Sequence, residues 1–444
     1  MTRIFGTDGV RGVANEFLTP ELAFALGRAG GFVLAQHGER RPVLVGRDTR
    51  CSGPMLEEAL TAGVCSVGLD VWKLGIVPTP GVAYLTRHLS AAAGVMISAS
   101  HNPIEDNGIK FFASDGCKLP DMLEDEIAEH VLAHDKLPRP QGASVGTVFD
   151  RRRSVGAYAR HCVSLGGSLA GRTIVVDGAY GAAFDIAPKV FEKLGAAVVR
   201  IHCRQDGRRI NVGCGATDMH SLRAAVAERP GSIGVAFDGD ADRALFVDEN
   251  GRDVTGDHVL AMWAKALLAA GELPNATVVA TVMSNLGLEL AMQTMGVTML
   301  RTSVGDRYVL EEMQRGGHRL GGEQSGHIID LASNTTGDGL ATAVRVFTLI
   351  GTGGTLAELA SVMTTLPQIL VNVRVRDKSC LDVDDRVKTA VAEVEAALAG
   401  RGRLLVRPSG TEPLVRIMIE GDDVIEMKRL AAGIVASIEA SQPA

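Results

Sequence analysis

One local pattern occurs three times along this chain, a domain's length apart, and it restricts the fold more than any other feature. Strand-like Pro42 to Gly46 leads through Arg47-Asp48-Thr49-Arg50 to a helical stretch from Pro54 to Gly63, then to a second strand from Leu69 to Trp72. Arg172 to Asp177 leads through Gly178-Ala-Tyr-Gly181 to a helix ending near Gly195, then to Ala197 to Ile201. Ala276 to Ala280 leads through Ser284-Asn285-Leu286-Gly287 to a helix ending near Gly296, then to Val297 to Leu300. Strand, small-residue turn, helix and parallel strand make a βαβ unit, and its recurrence predicts three related mixed α/β/α domains.

The last segment has a different character. Leu370 to Val375 is strand-like, and Val387, Val391, Val394 and Leu398 fall at helical spacing. Val415, Ile417 and Ile419 alternate as one face of a strand, and Met427, Leu430, Ile434 and Ile438 again form a helical stripe. This predicts a smaller C-terminal α+β domain with a sheet and two helices. A chain of 444 residues exceeds a single core and suggests three or four domains. Pro138-Arg-Pro140-Gln-Gly142 reads as a linker, Gly251-Arg-Asp253 as a polar turn between a strand and a helix, and Thr364-Thr-Leu-Pro367 as a terminus. The expected domains are therefore 1-150, 151-253, 254-367 and 368-444.

A formal net charge of -7 argues against nucleic acid or an anionic membrane as partner, because both require a basic footprint. The N-terminal residues show no apolar core of a signal peptide, and the uncharged runs are broken before membrane-spanning length. Seven scattered cysteines without a Cys-x-x-Cys pair read as reduced thiols, so a cytoplasmic protein is expected.

Four stretches carry recognisable chemistry. The apolar Val95 to Ile97 stops at Ser98-Ala-Ser100-His101-Asn102-Pro103, which holds the Ser100 hydroxyl at the end of a strand, where α/β domains place their ligands. A turn-capping serine is the plainer reading of that residue. Asp238-Gly-Asp240-Ala-Asp242-Arg243 follows another apolar strand, and three aspartates at alternate positions share a side if the backbone stays extended. Two carboxylates about 4 Å apart repel by about 4 kcal/mol at an effective dielectric of about 20, so three together call for a cation. All-oxygen ligands point to Mg²⁺. A calcium loop is excluded by Arg243 at the position that requires glycine. An Asp238-nucleophile phosphatase with Asp240 as acid/base stays open, as does a solvated acidic turn.

In Gly321-Gly-Glu323-Gln-Ser325-Gly-His327, Glu323 and Ser325 suit hydrogen bonds with hydroxyls. In Arg407-Pro-Ser409-Gly410-Thr411-Glu412-Pro413, with Arg416 beyond, a guanidinium, two hydroxyls and a loosened backbone make a cradle for a phosphate dianion. Lys110 suits proton transfer or charge neutralisation, and Arg11, in the glycine-rich opening loop, suits an anion. Ser303-Val-Gly305-Asp306-Arg307 says little by itself. One nucleophile, one cation site, one hydroxyl-reading loop and one phosphate cradle together describe phosphoryl transfer on a phosphorylated polyol.

These four stretches, in this order and across essentially the whole chain, resemble the signature loops of the α-D-phosphohexomutases. The opening Phe5 to Gly12, the Glu-Gln-Ser form of the third loop and Val304 to Tyr308 resemble the branch that acts on amino sugars. The resemblance implies a heart-shaped molecule with a central cleft, and interconversion of glucosamine 6-phosphate and glucosamine 1-phosphate on the route to UDP-N-acetylglucosamine. It implies a phosphoryl group on Ser100 and one Mg²⁺ per site held by Asp238, Asp240, Asp242 and a Ser100 phosphoryl oxygen. Substrate contacts fall to Gly305, Asp306, Glu323, Ser325, His327, Arg407, Ser409, Gly410, Thr411 and Arg416. Arg11, His101, Lys110 and Arg243 are implied in positioning and proton handling. Glucosamine 1,6-bisphosphate or glucose 1,6-bisphosphate is implied as intermediate or activator, and a homodimer is compatible with the family. A sibling mutase acting on mannose or glucose phosphates, the phosphatase, and a non-catalytic sugar-phosphate sensor are the alternatives.

Overall fold

The structure is a computed structural model that describes residues 4-6, 8-36, 41-132, 137-351, 353-409 and 413-442. Its first sheet contains β1 (Val10–Val13), β2 (Val43–Arg47), β3 (Val71–Ile76), β4 (Ala93–Ile97), β5 (Asp106–Phe112) and β6 (Val148–Asp150), in the order β1-β5-β4-β2-β3-β6. The second contains β7 (Thr173–Asp177), β8 (Ala197–Ile201), β9 (Ile233–Phe237), β10 (Ala244–Val247) and β11 (Asp253–Val254), in the order β11-β10-β9-β7-β8. The third contains β12 (Thr277–Thr281), β13 (Thr298–Thr302), β14 (Leu320–Gly322) and β15 (Ile328–Asp330), in the order β13-β12-β14-β15.

A common frame runs through all three sheets. A central strand (β2, β7 or β12) pairs in parallel on both sides, with the strand that follows it and with the third strand of its repeat. The third strand then turns back through an antiparallel hairpin to the fourth: β4 to β5, β9 to β10, β14 to β15. The central strands are apolar because helices cover both faces of a parallel sheet. In the first sheet Val45, Val95, Ile97, Ile109 and Phe111 enter one core with the helix Pro20–Gln36. The three hairpin tips carry Ser100, Asp238 to Asp242, and Glu323 to His327, one motif per repeat.

By packing, the chain forms two compact units, Met1–Met283 with Gly296–Val362, and Ser284–Met295 with Met363–Ala444. The second unit has an antiparallel sheet of β16 (Gln368–Arg374), β17 (Gly402–Pro408) and β18 (Leu414–Gly421), with β18 in the middle. Val387, Val394 and Leu398 of helix Asp385–Leu398 and Met427, Ile434 and Ile438 of helix Val424–Ser441 cover it, as their periodicity predicts. Helix Leu286–Met295 joins this unit through Glu420, whose carboxylate accepts from Asn285 Nδ2 at 3.1 Å and Leu286 N at 3.2 Å.

Two local expectations change. The polar turn at 251-253 does not lead directly into a helix: Asp253 begins β11, which pairs with β10 before helix Gly256–Ala269 starts. The aspartate stretch is not extended, because the chain turns there and Ala241 is left-handed at φ 57°. All seven cysteines are free. Among the described residues no helix is long and apolar enough to cross a membrane.

Candidate active site

Ser100 lies in the β4–β5 hairpin, 1% exposed, with φ 51°. A left-handed serine costs on the order of 1 kcal/mol or more, so its surroundings must hold it there. The hub is Arg50, a fully buried guanidinium whose Nε lies 3.1 Å from Asp48 Oδ2. Its Nη2 donates to the carbonyls of Ser100 (2.9 Å) and Asn102 (2.8 Å), and its Nη1 to those of Pro103 and Asp106. Asn211 Nδ2 donates to Ser100 O at 2.8 Å, and Ser98 Oγ accepts from Ser100 N at 2.9 Å while donating to Asp48 at 2.6 Å. Arg50 and Asp48 had figured in the sequence only as part of a turn. An Asp-x-Arg step after a strand is the one local signal they leave.

The Ser100 Oγ donates to Asp238 Oδ2 at 2.5 Å. One oxygen from each of Asp238, Asp240 and Asp242 lies within 4.8 Å of the others, and all three residues are buried. The tight turn at Ala241 brings the carboxylates together. Burial, with Asp242 and Asp240 alongside, pushes the Asp238 carboxyl well above its ordinary range. Asp240 Oδ1 and Asp242 Oδ1 are buried without a hydrogen-bond donor among the described residues. Three converging carboxylates, two of them with a donorless oxygen, next to a serine hydroxyl, fit a hard cation such as Mg²⁺. Thr79, which sequence reasoning missed, braces the turn, donating from Oγ1 to Asp240 Oδ2 at 2.5 Å and from its N–H to Asp240 O at 2.9 Å.

Cations surround this cluster. Lys110 Nζ lies 3.1 Å from Asp240 Oδ2 and 3.0 Å from Asp8 Oδ2. Burial opposes its charge, but Asp240 and Asp8 outweigh burial and raise the ammonium above its usual range. Asp8 also accepts from Arg11. Burial would raise Asp8, yet Lys110 and Arg11 hold its carboxyl well below normal. Asp8 too had no assigned place in the sequence beyond the opening loop. Arg243 N donates to Asp238 Oδ1 at 3.2 Å, and its Nε lies 3.8 Å from Asp242 Oδ1. His101 Nδ1 stands 3.4 Å from Ser100 Oγ, and burial followed by Arg243 lowers its imidazole to about 4.

The third hairpin is tied to the second through a bridge between Arg243 and His327 and the bond Ala244 N to Gly326 O, 3.1 Å. His327 Nδ1 lies 3.6 Å from Asp242 Oδ2. Burial would lower its imidazole, but the Asp242 carboxylate prevails and raises it to about 9. Glu323 Oε1 accepts from Gly305 N at 3.1 Å, which joins the loop before helix Asp306–Gly316 to the hairpin. These groups enclose a cavity of about 470 Å³, walled by Asp8, Arg11, Ser100, Asp242, Arg243, Gly305, Asp306, Glu323 and His327 with apolar Ile4, Phe17 and Val304. Ser325 is not part of that wall, and its Oγ is buried without a partner among the described residues.

In the second unit Arg407 and Arg416 face each other across β17 and β18. Burial, followed by Arg416, lowers the Arg407 guanidinium. Ser409 is buried, and its carbonyl accepts from Lys378 Nζ at 2.6 Å. Gly410 and Thr411 lie outside the described residues.

Four family models match the chain in order: the phosphoglucomutase/phosphomannomutase α/β/α domains I (residues 2-137), II (157-251) and III (255-366), and the C-terminal domain (370-437). The chain is 55% identical over 437 residues to a phosphoglucosamine mutase of Moorella thermoacetica, covering 98% of each. Among solved structures it resembles a phosphoglucomutase/phosphomannomutase family protein from Burkholderia thailandensis, with TM-score 0.83, 23% identity, and 99% of this chain and 98% of that one covered. An Aspergillus fumigatus N-acetylphosphoglucosamine mutase in complex with GlcNAc-6P and magnesium shares the fold at TM-score 0.64 and 17% identity, over 99% of this chain and 96% of the other.

Proposed function

The chain belongs to the phosphoglucomutase/phosphomannomutase family, and on that premise we propose that it interconverts glucosamine 6-phosphate and glucosamine 1-phosphate through a phosphorylated Ser100 and a 1,6-bisphosphate. The observation that carries this reading is the 2.5 Å contact between Ser100 Oγ and Asp238 at the wall of a cavity that also presents Glu323 and Arg11. Full-length similarity to a phosphoglucosamine mutase supports the choice of sugar. The four-part division at residues 150, 253 and 367 belongs to the same reading, supported by four sheets and four family matches.

Asp238, Asp240 and Asp242 would hold one Mg²⁺, together with a phosphoryl oxygen on Ser100. When bound, Mg²⁺ offsets the charge on the transferring group. Arg407, Ser409 and Arg416, with Gly410 and Thr411, hold the distal phosphate. Glu323 and Ser325 take sugar hydroxyls. The 1-hydroxyl oxygen forms its bond to phosphorus as the Ser100 Oγ–P bond breaks, and the hydroxyl proton passes through His101 to Ser100 Oγ. His101 is neutral near pH 7 in the unphosphorylated protein, and a phosphoryl charge of about -1.5 to -2 on its neighbour would draw its pKa back up. Lys110, Arg11 and Arg243 counter the charge of the transfer. The bisphosphate turns end for end, and the 6-phosphate returns to Ser100. Small sugar phosphates are the partners in this reading, which has the protein working in the cytoplasm without nucleic acid or membrane and is compatible with a homodimer.

The test is a ³¹P NMR time course with Mg²⁺ and glucosamine 6-phosphate, glucose 6-phosphate or mannose 6-phosphate. Preferential growth of glucosamine 1-phosphate, absent in folded Ser100→Ala, is expected. Release of inorganic phosphate, or turnover by Ser100→Ala, would overturn the reading.

A further inference from the structure

We propose that the Asp306 carboxylate is the counter-ion of the substrate's 2-ammonium group and sets the preference for an amino sugar over a neutral sugar phosphate. This rests on the amino-sugar reading above and assigns the residue that enforces it. Four carboxylates wall the cavity, and three are committed. Asp8 is held by Lys110 and Arg11, Asp242 faces His327 and Arg243, and Glu323 accepts from Gly305 N. Asp306 has no hydrogen bond or ion pair among the described residues. The nearby cations Arg11 and His327 sense its charge, but their contacts go to Asp8 and Asp242.

An uncompensated carboxylate is a poor fit in a cavity that must accept a phosphate dianion, because like charges repel across its low-dielectric interior. It becomes favourable when the ligand brings its own cation. The ammonium at C2 of glucosamine phosphate is that cation, and glucose or mannose phosphate has only a hydroxyl there. One carboxylate thus attracts the right sugar and repels the wrong ones, the two-sided form that selective sites take. The residue is also held in place. Gly305, at φ 132°, turns the chain into the helix, its N–H is fixed by Glu323, and the next residue, Arg307, is paired with Asp121 and Glu311. An acidic residue in the first turn of a helix has a purely structural use against the helix dipole. That use alters stability and leaves the choice of sugar alone.

The experiment compares kcat/KM for glucosamine 6-phosphate and glucose 6-phosphate in the full Mg²⁺-loaded chain and in Asp306→Asn. The amino-sugar value is expected to fall about tenfold to hundredfold and the glucose value to rise, so the ratio collapses. Asp306→Glu is expected to keep most of the ratio. In the parent chain the preference is expected to fade as pH rises past about 8, where an amine of this kind loses its proton, and Asp306→Asn is expected to lack that dependence. Equal falls for both sugars, or an unaltered ratio in Asp306→Asn, would overturn the assignment while leaving the amino-sugar reading intact. A parent chain that prefers glucose 6-phosphate would overturn both.

Discussion

Replacing Arg50 by lysine tests whether the nucleophile is positioned by a buried guanidinium. Arg50 makes directed contacts to Asp48 and to the carbonyls of Ser100, Asn102, Pro103 and Asp106, and none of its atoms reaches the cavity wall. Lysine keeps the charge but offers three donors from a single point, so at least two of those acceptors lose a donor. Each lost hydrogen bond from a charged donor costs about 1.5–3 kcal/mol, which puts the loss at roughly 3–6 kcal/mol. That is within the roughly 5–15 kcal/mol of a typical fold, so the variant is expected to fold with a lowered melting temperature. With its carbonyl left to Asn211 alone, Ser100 has less to hold it at φ 51°. A shift of about 1 Å in a reacting group costs up to about a hundredfold in rate. We expect kcat to fall about tenfold to hundredfold and KM to change by less than about threefold. The assay is steady-state turnover of glucosamine 6-phosphate below the variant's melting temperature, with near-ultraviolet circular dichroism to check packing. A folded variant with the parent kcat, or one whose loss lies entirely in KM, refutes the reasoning.

Three further outcomes follow from other contacts. Thr79→Val removes the donor that orients Asp240, and outer partners of this kind change metal affinity or activity by about 10–100-fold; the Mg²⁺ activation curve is expected to move to higher concentration, and an unmoved curve would count against the brace. Arg407→Ala is expected to raise KM for the sugar phosphate with a smaller effect on kcat, measured by initial rates, and an unchanged KM would remove Arg407 from the phosphate cradle. Burial raises Cys117 to about 11 and Cys203 and Cys214 to about 12, so their thiolate fractions at pH 8 are small. Exposed Cys51 is therefore expected to take up iodoacetamide first in mass-spectrometric mapping, and earlier labelling of Cys214 would contradict its burial.

Much of the architecture was legible because it depends on short-range periodicity. The strand at Ala197 to Ile201 has the predicted limits, and β2 and β12 lie within a residue of theirs. The helices of the last domain follow from residues three and four apart on one face. The chemistry-bearing loops were legible for a related reason. Each packs several unusual side chains into a few consecutive positions at a strand end, and strand ends can be read locally. The three aspartates converge through a turn at left-handed Ala241 rather than along an extended strand, and alternation in sequence carries no information about that turn.

The sequence alone therefore determined that three α/β repeats and a smaller α+β domain would form, and that Ser100, the three aspartates and the Glu323 to His327 stretch stand where strands end. Tertiary structure alone decided that the three hairpin tips of the repeats meet, that Arg50 serves carbonyls some fifty residues away, that Thr79 and Asp8 brace the charged cluster, and that Asp306 is left without a hydrogen bond or ion pair among the described residues. The physical reason is range. Periodicity and turn chemistry act between neighbours in the chain, whereas pairing buried donors with buried acceptors is decided by every segment that packs into the same space.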